Sequence, residues 1–317
     1  MGTETATQAG AVIGAEVGAE VGAPPRPAAL SPSRAVDFRR CALLYRFRAV
    51  DRLPETPSPG ALRGTVVHTV LERLHALEPE ARRLGTARDL AVAVLDALDP
   101  TERALLGEEP GVDGLLARYF ALEDPRTVTS EARELRVEAE LADGSPLRGY
   151  LDRLDTGPGG LTVVDYKSGP APSVHAEGRT LFGVRFYALL LARTRGVVPT
   201  LRLLHLADTT TLTLRPTADE LDRFARVLAA VWAAITRAAP TGDFRPNPGP
   251  GCTWCPFRDR CPAHGGTPPP YPGWPGDTSV GTPATATSPA APTTPAPLPV
   301  PRPRSATPSG QPVGDAP

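Results

Sequence analysis

Apolar residues recur at helical spacing in several blocks and alternate with polar ones in others. Leu62, Val66, Val67, Val70, Leu71, Leu74 and Leu77 repeat in steps of three and four and predict a helix over about 61–77. An earlier helix is predicted over 31–50, opened by Ser31 or Ser33 as N-cap, and two later ones over 86–98 and 112–122. ELRVEAEL at 134–141 alternates and predicts a strand. LRGYLDRLD (147–155) and LTVVDYKSG (161–169) flank TGPGG and predict a hairpin with a five-residue turn. Residues 180–194 predict a helix and 198–216 two strands. The capping box of Thr217 and Glu220 then opens a helix to about 238. Helices, strands, a helix, two strands and a helix make a mixed α/β layer fold.

Composition divides the 317 residues into three parts. Of 39 prolines, sixteen fall in 266–317, which has few large apolar residues to offset its ordering entropy. The first 29 residues hold no aromatic and carry the run GAEVGAEVGA. The expected organisation is a disordered N-terminal tail (1–29), a folded domain (30–265) and a disordered Pro-rich tail (266–317). The domain is expected to hold a helical insertion over about 78–125 and a cysteine cluster at 252–261. The tail could present extended segments to a partner, but its composition favours a spacer. No apolar run approaches the roughly 20 residues of a membrane span, and Glu16 and Glu20 interrupt the one mildly apolar N-terminal stretch. A cytoplasmic protein without a membrane segment is expected. Four cysteines there argue for a metal site or isolated thiols rather than a disulfide framework.

Net charge is −1, so any nucleic-acid contact must be local. The segment 31–52 sets arginines 34, 39, 40, 46, 48 and 52 against two aspartates, with Phe38, Tyr45 and Phe47 among them. Basic and aromatic residues suit a stacked single strand; an amphipathic helix with arginine on its wet face reads the same way. Of the 34 basic residues only Lys167 is lysine. Its compact ammonium differs from guanidinium where a site is tight, which singles it out. Alternation puts Asp165 and Lys167 on one face of a strand, and the hairpin brings Asp152 across to within about one residue of Asp165. Two carboxylates and an ammonium suit magnesium or manganese and a phosphoryl group; a surface Asp–Lys pair is the plainer alternative. His68 lies one turn after Gly64, where a neighbouring backbone could approach, and one turn before Glu72. His75 on the same face shows how little one histidine means.

The successive stretches from Arg63 and Gly64 to His68, from Gly149 through Asp152 to Asp155, Val164-Asp165-Tyr166-Lys167, and Tyr187 resemble the motifs of RecB-family exonucleases of the PD-(D/E)xK superfamily. The resemblance runs from about Leu30 to Gly266. It implies a restriction-endonuclease-like core: a central mixed sheet flanked by helices, with an N-terminal helical part and a C-terminal iron–sulfur clip. It also implies that His68, Asp152, Asp165 and the carbonyl of Tyr166 hold Mg2+ or Mn2+, that Lys167 positions the attacking water, and that Asp155 is structural. Tyr187 matches the end of a Gln-x-x-x-Tyr motif whose glutamine is here Gly183, with Arg185 as a substitute for the missing amide. Tyr187, Arg185, Arg39, Arg40 and Tyr45 are the expected DNA contacts.

Cys252, Cys255 and Cys261 lie on a Pro/Gly-rich stretch, and Cys41 lies far upstream. Spacing leaves zinc and an iron–sulfur cluster both open. One cysteine before the nuclease motifs and Cys-x2-Cys-x5-Cys after them is similar to the iron–sulfur subset, AddB-like and CRISPR-associated. That implies a 4Fe-4S cluster stapling the ends of the domain. The expected function is metal-dependent hydrolysis of DNA from single strands or ends, in repair or recombination, with a helicase as possible partner. The alternatives are a catalytically weak DNA-binding module on a nuclease scaffold and a zinc-clipped partner-binding protein.

Overall fold

The computed structural model describes residues 28–274, apart from 57, 107–110, 173 and the side chains of 174–180. Of the expected tails (1–29 and 266–317), residues 1–27 and 275–317 lie outside the described residues. Among the described residues, eight α-helices and five strands run in the order α1 (Pro32–Arg40), α2 (Ala42–Tyr45), α3 (Pro59–His75), α4 (Leu84–Asp96), α5 (Pro100–Leu105), α6 (Val112–Leu122), β1 (Ser130–Glu140), β2 (Pro146–Gly157), β3 (Gly160–Lys167), α7 (Val174–Arg195), β4 (Thr200–His205), β5 (Thr210–Leu214) and α8 (Ala218–Ala238). The strands form one sheet in chain order. Only β3 and β4 are parallel, joined by the α7 crossover, so the sheet is mixed.

Alternation along the strands builds two cores. Leu154, Val163, Leu201 and Leu203 face α7 and α8, where Phe186, Leu190, Phe224 and Leu228 are buried. Val164, Tyr166, Leu204 and Leu206 face α3, α4 and α6 and meet Val67, Val70, Leu71, Ala87 and Leu116. Helix α8 opens at the predicted box: Thr217 Oγ1 accepts from Glu220 N–H at 3.2 Å, and the Glu220 carboxylate accepts from Thr217 N–H at 2.8 Å.

Three expectations change. The β2–β3 turn is two residues, Pro158 and Gly159, because Gly157 pairs with Gly160 and Gly160 takes φ +89°, open only to glycine at low cost. The helix expected over 31–50 breaks at Cys41, which is extended (φ −163°, ψ 118°), then resumes as α2 and a π-helical turn over Arg46–Val50. The break directs the Cys41 sulfur to Asn247, whose N–H donates to it at 3.4 Å. The fold also continues past 265. Trp274 is 7% exposed in the main core, and the Tyr271 hydroxyl donates to the Ala239 carbonyl at 2.6 Å.

Candidate active site and cysteine cavity

The β2–β3 register pairs Arg153 with Val164, which sets Asp152 opposite Asp165 at the open end of the hairpin. Asp165 is 4% exposed and Lys167 Nζ stands 2.5 Å from its Oδ2. Burial pushes the Asp165 carboxyl up and the Asp152 charge adds to that, while Lys167 opposes both. Burial draws the Lys167 ammonium down, but its attraction to Asp165 prevails and the net shift is upward. Helix α3 reaches the same spot. His68 Nε2 donates to the Tyr166 carbonyl at 2.9 Å, and its Nδ1 lies 3.4 Å from Asp152 Oδ2. Burial lowers the His68 pKa, but hydrogen bonding and charge from Asp152, with help from Asp165, raise it on balance. The Tyr166 N–H donates to Asp152 Oδ2 at 2.8 Å. The structure thus brings His68, Asp152, Asp165, Tyr166 and Lys167 together.

Two close approaches hold the site together. A Cβ on Gly64 would sit 3.2 Å from Ser168 Oγ, so α3 passes tightly over the end of β3; the neighbour is a side chain, not backbone. A Cβ on Gly149 would sit 2.7 Å from Leu190 Cδ1 and 3.2 Å from the Tyr187 ring, so α7 lies directly on β2. That contact brings Tyr187 toward the carboxylates. Burial and the charges of Asp165, Asp152 and Glu134 all push its hydroxyl pKa up.

Sequence reasoning missed Glu134. It pairs opposite Asp152 on β1, takes φ +45°, and its carboxylate lies within 4.8 Å of donor atoms of both His68 and Asp152. A left-handed backbone at a non-glycine strand residue is uncommon and redirects the side chain. Burial raises its pKa, and Asp152 adds to the rise. Among the described residues, this trio is the one set of three potential metal-ligating groups gathered so closely.

The expected DNA contacts divide. Tyr45 is 1% exposed, packed edge-on to Phe38 and stacked near Phe244, so it is a core residue and cannot meet a strand. Arg185 lies two residues before Tyr187, nearly opposite it on the helix, and its charge is felt by Glu220 at the start of α8. Arg46 pairs with Asp51, and Arg48 with Asp37 and Glu55, so half-buried ion pairs absorb much of the basic segment. Arg39 and Arg40 remain exposed. Arg39 stacks 4.2 Å over Phe182, and Arg40 donates to the Gly251 carbonyl.

Those two arginines line a cavity of about 770 Å3 that all four cysteines share. Leu43, Leu44, Phe47 and Phe257 form an apolar floor beside it, packed against Cys41, Cys255 and Cys261. Gly249 N–H donates to Cys252 Sγ at 3.4 Å, as Asn247 N–H does to Cys41. Chain ends more than 200 residues apart thus converge on one thiol-lined space.

A mixed sheet flanked by helices, with an Asp-x-Lys strand, a facing aspartate and a helix-borne histidine at one end, defines a nuclease core of the restriction-endonuclease-like class. The chain belongs to the PD-(D/E)XK nuclease superfamily, whose family pattern matches residues 29–262. Among solved structures it is similar to a candidate exonuclease from Eubacterium rectale, at 14% identity and a TM-score of 0.47, covering 72% of this chain and 86% of that one. It is also similar to the protein SSO0001, at 16% identity and a TM-score of 0.33, covering 63% and 85%. No curated protein matches the sequence. Among the described residues, no helix is long and apolar enough to cross a membrane.

Proposed function

We propose that this protein is a metal-dependent DNA exonuclease that hydrolyses phosphodiester bonds at single strands or ends. The observation that carries the reading is the meeting of His68, Asp152, Asp165 and the Tyr166 carbonyl beside the chain's sole lysine. The donors are carboxylate and carbonyl oxygens and one imidazole, a set that fits Mg2+ or Mn2+. Asp165 Oδ2 is buried and accepts no well-aligned hydrogen bond, although Lys167 lies close, which leaves lone-pair capacity for a cation. His68, Asp152, Asp165 and the Tyr166 carbonyl would hold the ion, with Glu134 beside them. Bound there, the ion would supply Lewis-acid stabilisation and a more acidic water. Lys167 orients the attacking water and offsets charge developing on phosphorus. Tyr187 approaches the carboxylates from α7.

The four cysteines share one cavity, which suits a single thiolate-bound metal centre, and both zinc and an iron–sulfur cluster accept four thiolates. The resemblance favours a 4Fe-4S clip. The clip would join the α1–α2 break to the C-terminal loops and hold Arg39 and Arg40 at its rim. A repair or recombination role and a helicase partner rest on the resemblance alone.

One observation favours a weaker enzyme that mainly binds DNA: Gly183 leaves open space one turn before Tyr187, where an amide is expected. Cleavage of end-labelled DNA with and without Mn2+ separates the two readings. Metal-dependent cleavage supports the exonuclease, and tight binding without cleavage supports the binding module.

A further inference from the structure

We propose that Arg153 is a positioning residue for the metal site, acting through Tyr166 from the opposite face of the sheet. The assignment rests on the metal-dependent reading above and names what holds that site in shape.

Tyr166 lies between Asp165 and Lys167, so its side chain points away from theirs. Its backbone remains in the site. The N–H donates to Asp152 at 2.8 Å and the carbonyl accepts from His68 at 2.9 Å. Its ring also meets the His68 imidazole edge-on, with centroids 5.8 Å apart. A shift of this one residue would therefore move three of the candidate ligands at once.

What fixes Tyr166 is a buried ion cluster. Its hydroxyl lies 2.7 Å from Arg153 Nη1. Arg153 is fully buried and held on two sides. Asp155 takes Nε and Nη2 at 2.8 and 2.9 Å, and Glu123 takes Nη1 and Nη2 at 2.6 and 3.1 Å. Arg202 lies 3.4 Å from Glu123, so two carboxylates face two guanidiniums and the charge is balanced. Balance of this kind lets a buried ionic group persist without stabilising the fold by itself.

The geometry points beyond stability. Among the described residues, Tyr166 is the one β3 residue to which this Arg153 fork hydrogen-bonds. Apolar neighbours surround the ring, and phenylalanine would fill the same volume. A rigid guanidinium fork anchored at both ends transmits position to the hydroxyl in a way a flexible ammonium would not. Outer partners that orient metal ligands matter by roughly 10–100-fold in affinity.

The test is Mn2+ binding, followed by the paramagnetic resonance of free ion, in wild type, Tyr166→Phe, Arg153→Lys and Asp165→Ala. Tyr166→Phe is expected to weaken Mn2+ binding on the order of tenfold. Its melting temperature should stay near wild type, and cleavage at saturating Mn2+ should be largely restored. Arg153→Lys should show the same loss; if it does not fold, Tyr166→Phe carries the test. Wild-type Mn2+ affinity in Tyr166→Phe, with binding lost in Asp165→Ala, overturns this assignment alone. No Mn2+ binding by the wild type overturns both the assignment and the function it rests on.

Discussion

The imidazole Nε2 of His68 lies 2.9 Å from the carbonyl oxygen of Tyr166, joining residues 98 positions apart. A helix and a strand thus present two ligand-type atoms to one point. The apolar stripe of α3, with Val66, Val67, Val70 and Leu71 buried, seats His68 there. His68→Ala keeps that stripe. It is expected to fold, and to lose more Mn2+ affinity than the roughly 10–100-fold that follows loss of an outer partner. Titration calorimetry with Mn2+ checks this, and an unchanged affinity would remove His68 from the site.

His75, two turns along the same helix, does different work. It is 1% exposed, 2.7 Å from the Tyr119 hydroxyl and 2.8 Å from Arg153 Nη1. Burial first, then the charge of Arg153, lowers its pKa to about 3, with Arg82 and Arg133 adding to the effect and Glu123 opposing it. The unfolded chain takes up a proton below the ordinary value of 6.5 while the folded one does not. Stability is therefore lost as pH falls from that value toward about 3, by up to about 1.4 kcal/mol per pH unit from this group. His75→Gln should flatten the slope between pH 7 and 5 by most of one proton. Denaturant unfolding at the two values measures it, and equal slopes would refute the assignment.

Gly183 is helical and a Cβ there meets nothing within 4 Å. Gly183→Gln should stabilise the domain by about 0.5 kcal/mol through helix propensity alone. It also places an amide four residues before Tyr187, and tighter DNA binding is expected. Unfolding midpoints and DNA affinity test the two effects separately. A destabilised variant would show that the space is not open.

Most of the architecture was legible because periodicity and turn chemistry agree. The hairpin put Asp152 opposite Asp165, and the box at Thr217 and Glu220 started α8 where expected. Glu134 escaped because it read as one polar position among several in an alternating strand, and its left-handed φ leaves no mark in the sequence. Its place opposite Asp152 follows from a five-residue connection, 141–145, centred on Asp143; a two-residue turn at Asp143 and Gly144 would have paired it with Arg153. Tyr45 was misplaced because arginines around an aromatic describe a wet helix face as well as a nucleic-acid groove. Burial decided between them, and burial depends on Phe244, some 200 residues away. The break at Cys41 has no Gly or Pro to announce it and follows from tertiary contacts at Asn247.

The cysteine cavity makes a separate prediction. Protein purified without oxygen should be brown, absorb near about 400 nm and carry about four irons per chain. Cys252→Ser should lose the colour and much of its solubility, since the proposed clip would join α1 and α2 to the C-terminal loops. Colourless protein with one zinc per chain would replace the cluster with a zinc site.

The central claim is metal-dependent phosphodiester hydrolysis at the hairpin end. It is tested most directly by incubating end-labelled single- and double-stranded DNA with Mn2+ or Mg2+, using wild type, Asp165→Ala and Lys167→Arg. Wild type should cleave only with metal, and the product ladder gives the polarity. Asp165→Ala should be inactive. Lys167→Arg should fall by about 10²–10³-fold while retaining fold and DNA affinity. Wild-type rates in either variant, or cleavage that persists after metal is chelated, would contradict the account.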